Sequence, residues 1–164
     1  MKEVEYNRKN AVSYAHKWAY ERNPQYFNFD TIGGDCTNFT SQVIFAGCKI
    51  MNYNNPLGWY YKNINNRAPA WSGVEFLYKF LTTNKGIGPY GIAADAEEVL
   101  PGDILQLSFD GVKFSHCPNI VAVGEDITPD SILLSAHSFN CDNRPLSSYS
   151  YEAVRFVHIL GARK

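Results

Sequence analysis

Residues 33–47, Gly33-Gly34-Asp35-Cys36-Thr37-Asn38-Phe39-Thr40-Ser41-Gln42-Val43-Ile44-Phe45-Ala46-Gly47, take the chain from irregular backbone into a helix that begins on a cysteine. The glycine pair supplies a turn that leaves the thiol uncrowded, and Asp35 is a good N-cap. Phe39, Val43 and Ala46 continue the face that Cys36 starts, and Gly47 is expected to end the helix. A thiol in a first helical turn meets unsatisfied N–H groups and the positive end of the macrodipole, both of which favour its anion. The thiolate is the nucleophilic form of cysteine, and the same N–H groups could receive the oxyanion of a tetrahedral intermediate. Cys36 is therefore the candidate nucleophile, against the alternative of a packed cysteine.

Upstream, Ala11, Tyr14, Ala15 and Trp18 recur at helical spacing, which predicts a first helix over Asn10–Glu21 stopped by Asn23-Pro24. Downstream, residues 52–71 read as a long loop, of the kind that is often functional. Ser72 and Glu75 have the spacing of a capping box for a third helix, with Val74, Leu77, Tyr78 and Leu81 on its buried face and Gly86, Gly88 and Pro89 beyond it. The second half of the chain then reads as sheet. Asp103–Phe109 and Val112–Val123 flank an Asp110-Gly111 hairpin turn, and Ser131–Phe139 and Val154–Leu160 are further strands. Helices followed by strands imply an α+β class within a single domain, residues 1–164.

Composition narrows the function. A net charge of −1 without a basic run leaves out the electrostatic footprint of a nucleic-acid binder. No stretch reaches the roughly 18 apolar residues of a membrane span, and Met1 leads into a charged segment without an apolar signal core. The expectation is a soluble monomer, not inserted in a membrane, with no export signal in this chain. Cys36, Cys48, Cys117 and Cys141 form no Cys-x-x-Cys pair and no ligand-spaced cluster with histidine, so neither a metal nor another cofactor is expected. Cys48 and Cys141 read as inert buried thiols.

A nucleophilic thiol needs a base. His116 lies in Phe114-Ser115-His116-Cys117-Pro118-Asn119-Ile120-Val121, and His137 in Leu133-Leu134-Ser135-Ala136-His137-Ser138-Phe139. If these strands pair, two imidazoles can share a face, one toward the thiolate and one orienting it. The competing reading is a hydrogen-bonded core histidine, and a register slip of one residue would part the two rings. His16 is expected to be exposed and His158 structural. Asn38 and Gln42, at i and i+4 beside the nucleophile, could bind substrate or hold the loop. Trp59 and Trp71 bracket the 52–71 segment and could line a cleft or simply fill the core.

The blocks YNRKNAVSYAHKWA (6–19), NPQYFNF (23–29) and GGDCTNFTSQVIFAG (33–47) resemble the bacterial putative amidase domain family, related to the papain-like NlpC-type and CHAP cell-wall cysteine peptidases. VLPGDILQLSF resembles their entry to the first strand, SHCPNIVAV their histidine strand, and LLSAHSFNCDNRPLSSY the strand of the third catalytic residue. The resemblance implies a papain-like fold, N-terminal helices packed on a small antiparallel C-terminal sheet. It implies Cys36 as nucleophile, His116 as base, His137 as the group that orients His116, and Tyr26 as a candidate oxyanion donor. It also implies a peptidoglycan or related peptide amide as substrate, cleaved through a thioester at the cell wall. Two departures stand out: Cys48 replaces a glycine expected after Ala46-Gly47, and Cys117 follows the histidine where a small polar residue is usual. The second is either packing or a source of oxidation sensitivity. A transamidating acyl transferase and a wall-binding module that has lost its chemistry are the rival functions.

Overall fold

Helix α1 (Arg8–Trp18) begins where the Asn7 side chain accepts a hydrogen bond from the Asn10 N–H, two residues before the expected start. It buries Ala11 and Ala15 against α2 (Cys36–Cys48), small residues that let the two axes approach. The description covers all of residues 1–164, in a computed structural model. Helix α2 is buried along nearly its whole length and ends on Lys49, which takes the left-handed conformation (φ 58°) and donates its N–H to Phe45 O. A Cβ on Gly47 would stand 2.2 Å from the Tyr6 ring, whose hydroxyl donates to Gly102 O. Glycine at 47 therefore serves close packing inside the helix, and the helix runs one residue past it.

The 52–71 segment has more structure than expected. Asn52 and Trp59 form a bridge, β2 (Tyr61–Asn63) pairs with β3 (Asn66–Arg67), and a one-turn helix α3 (Pro69–Ser72) follows. The capping box expected at Ser72 and Glu75 is absent. Gly73 stands at the N-cap of α4 (Val74–Thr83), Ser72 Oγ accepts from Arg67 Nε, and Glu75 reaches Arg155.

The main sheet has eight strands: β1 (Glu3–Val4), β4 (Gly88–Ala94), β5 (Ile104–Ser108), β6 (Phe114–His116), β7 (Asn119–Ala122), β8 (Leu133–Ala136), β9 (Cys141–Pro145) and β10 (Ala153–Arg163). Their order is β1-β10-β5-β7-β8-β9, with β4 also on β10 and β6 also on β5, and every pairing is antiparallel. The molecule is thus α+β with its helices preceding most of the sheet. At the Asp110-Gly111 turn, Asp110 Oδ1 accepts from the N–H groups of Val112 and Lys113, both at 2.8 Å, and Gly111 has φ 76°. The strand expected over Val112–Val123 is two, because Pro118 has no N–H to donate and Cys117-Pro118 interrupt the ladder.

Apolar cores cover both faces of this sheet. On one face the helices pack a cluster that includes Phe39, Val43, Trp59, Trp71, Leu81, Ile104, Cys117 and Val121. On the other, Leu105, Leu107, Ile120, Leu134, Leu146 and Phe156 form a second cluster. Successive residues of β5 and β7 therefore belong to different cores, and nearly all are buried.

Candidate active site

Cys36 occupies the first position of α2, as the sequence implies, and Gly33 and Gly34 approach it with φ of 82° and 95°, conformations that need glycine. Its side chain is 8% exposed. Burial pushes the thiol above its ordinary pKa, and the neighbouring Asp35 charge adds to this; the Thr37 hydroxyl and the main-chain N–H groups of Cys117 and Thr37 only partly offset it. The sulfur lies 3.7 Å from Thr37 Oγ1. At neutral pH this thiol is protonated, so the favourable helix terminus does not by itself produce a thiolate.

The two strand histidines do not share a face. His116 pairs across β5 with Leu107, a member of the second cluster, and its ring lies 6.4 Å from Phe109 and 5.7 Å from Tyr149. The next residue, Cys117, points the other way and joins the helix-side core with Cys36. No hydrogen bond joins His116 to Cys36. The expected thiol–imidazole contact is therefore corrected to a thiol–thiol neighbourhood, Cys36 with Cys117, and the cause is the alternation of β6 into Cys117. Burial and the nearby Arg144 guanidinium lower the His116 pKa to about 4, so the ring is neutral.

This has a consequence for stability. A histidine charging near 6.5 in the unfolded chain but near 4 in the folded one leaves the unfolded state with more bound protons between those values. Stability is lost as pH falls through that window, by up to about 3 kcal/mol. Denaturant unfolding of wild type and His116→Leu at pH 7 and pH 4.5 tests it. The wild type should lose more stability than the variant on acidification, and equal losses would refute the buried neutral ring.

His137 does not touch His116 either. Its Nδ1 lies 2.5 Å from Asp35 Oδ2, its Nε2 lies 2.7 Å from Trp18 O, and its ring stacks on Phe39 with centroids 3.7 Å apart. Both ring nitrogens thus face oxygens that accept hydrogen bonds. Asp35 is fully buried. Its Oδ1 accepts from the Phe29 N–H and from Asn38 Nδ2, and Arg22 Nε stands 3.4 Å from Oδ2. The sequence predicts Asp35 as the cap of α2. In the fold its carboxylate makes no cap bond and instead ties the 27–29 loop, the end of α1 and the end of β8 to the residue before Cys36. Its position next to the cysteine was the only signal, and that signal does not name the partner.

The other candidates are used inside the fold. Asn38 donates to Phe27 O and Asp35 Oδ1 and accepts from Trp71 Nε1, so it holds the loop and has no free group for substrate. Gln42 accepts from the Tyr14 hydroxyl and joins α1 to α2. Trp59 and Trp71 are fully buried, with centroids 4.9 Å apart, and Trp59 Nε1 donates to Ser41 Oγ. They form the core, not a cleft wall. Tyr26 is half-buried and stacks on Trp71 at 5.7 Å with Tyr61 at its other side; its hydroxyl makes no hydrogen bond to Cys36. His16, exposed, pairs with Asp142, and His158 pairs with the buried Asp103. No helix is long and apolar enough to cross a membrane.

Comparison with known proteins gives this site its context. Residues 5–160 match the family described as "Putative amidase domain". The chain is similar to the uncharacterized protein YhbB of Bacillus subtilis (strain 168), with 33% identity over 152 residues. That match takes in 90% of this chain and 45% of YhbB, so the chain spans about half the length of that relative. No solved structure gives a significant match. With the match running through both α2 and the β5–β8 strands, the chain belongs to the putative amidase domain family, whose name points to amide hydrolysis.

Proposed function

We propose that the protein is a cysteine-dependent amide hydrolase of papain-like fold in which Cys36 attacks the amide carbonyl and a thioester is then hydrolysed. The observation that carries this reading is the placement of Cys36. It is the first residue of α2, its sulfur lies against main-chain N–H groups, and it belongs to a chain of an amidase family. The proposed proton acceptor is His116. It is one residue away from the position that faces the thiol, on a strand of three residues with an irregular register against β5. A shift of one residue in this short strand would exchange Cys117 for His116 opposite Cys36. The arrangement with Cys117 beside Cys36 is then the resting form, with a protonated thiol. His137 acts on the site through Asp35, not through His116.

The proposed substrate is a peptidoglycan peptide or a related peptide amide, by analogy with cell-wall cysteine peptidases. A second reading is favoured by one observation, the raised thiol with no imidazole in contact: a wall-binding module that kept the fold and lost the chemistry. Incubation with purified peptidoglycan fragments and mass analysis of the products separates the possibilities. New termini carrying one added water support hydrolysis, whereas joined fragments indicate transfer to an amine. Unchanged fragments that nevertheless bind the protein indicate the binding module.

A further inference from the structure

We infer that Cys36 and Cys117 form a redox pair that closes into an intramolecular disulfide under peroxide, with Cys36 as the attacked thiol and Cys117 as the resolving one. Both side chains belong to the same helix-side core. Thr40, one helical turn after Cys36 on the same edge of α2, donates its hydroxyl to Cys117 O at 2.6 Å. In this arrangement the Cys117 backbone, just past β6, is tied to α2, and the Cys117 N–H reaches the Cys36 sulfur. Gln106 Nε2 donates to Cys117 Sγ at 3.5 Å, and this holds the second thiol in place. Cys117 itself is fully enclosed, so solvent oxidants meet Cys36 first. Cys48 bonds to Ile50 O and Cys141 lies against Tyr149, so each of the remaining thiols has its own surroundings.

The chemistry balances in two steps. The Cys36 thiolate attacks hydrogen peroxide, forming an S–O bond and releasing hydroxide, which takes up the proton lost from the thiol. The Cys117 sulfur, giving up its proton, then attacks the sulfenic sulfur; an S–S bond forms and water leaves. Two thiols are oxidised by two electrons and the peroxide is reduced to two waters. Burial of both thiols makes the first step slow relative to a free cysteine.

The test treats the whole chain with hydrogen peroxide, blocks the remaining thiols, digests without reductant and maps the peptides by mass. The expected product is a crosslink between the Cys36 and Cys117 peptides, formed equally in a Cys48→Ser, Cys141→Ser double variant and reversed by dithiothreitol. In Cys117→Ser, Cys36 should run on to sulfinic acid, which the reductant does not reverse. Sulfinic acid at Cys36 in the wild type with no crosslink, or a crosslink to Cys48 or Cys141 instead, would overturn the assignment. The readout is covalent mass and does not require turnover, so it stands or falls apart from the hydrolase reading.

Discussion

Cys36→Ala is expected to abolish amide hydrolysis, a loss of several orders of magnitude, while leaving the fold intact. Removing the attacking atom removes the covalent route, and what remains is binding and whatever main-chain donors contribute without a nucleophile. The fold should survive because the change deletes one buried sulfur at a helix terminus. The Asp35 network that anchors this terminus uses no atom of the Cys36 side chain. Matching circular dichroism and unfolding midpoints would establish that the variant is folded. Near-normal turnover in such a variant would end the cysteine mechanism.

The second large effect concerns stability. Asp35→Ala should cost about 3–5 kcal/mol, because it removes the buried carboxylate that both His137 Nδ1 and the Arg22 guanidinium face. It also deprives the Phe29 N–H and Asn38 Nδ2 of their acceptor. For a chain of this size the melting temperature should fall by roughly 10 °C or more. His137→Ala should be costly for the complementary reason, and the double variant should lose clearly less than the sum of the two, since the groups are in contact. Strict additivity would show that the 2.5 Å contact does not couple them.

The helix start at Cys36, the hairpin at Asp110-Gly111 and the α+β division were legible in the sequence because each has a local physical cause: a glycine turn, an Asx-type turn, a change of period. The orientation of His116 was not. Residues 119–121 include apolar side chains on both faces because both faces of the sheet are covered, so no alternation marks which residue points to the helices. Pro118 then breaks the strand where the register would have had to be counted. Strand β4 was missed because its Gly88-Pro89 start reads as a helix breaker, and β9, Cys141-Asp142-Asn143-Arg144-Pro145, because its composition is that of a turn. Asn38, Trp59 and Trp71 were recognised as conspicuous residues, but conspicuous polar and aromatic groups serve internal bonding as readily as substrate. Only the partners decide, and here they are Asp35, Ser41 and one another.

The most direct test of the central claim is to mix the protein with a p-nitrophenyl ester of a peptidoglycan-type peptide, quench in acid and weigh the intact chain. An activated ester makes acylation fast relative to hydrolysis, so the covalent intermediate accumulates. One acyl group is expected on the wild type, mapped to the peptide containing Cys36, and none on Cys36→Ala. Equal acylation of Cys36→Ala, or an acyl group mapped to another residue, would contradict it.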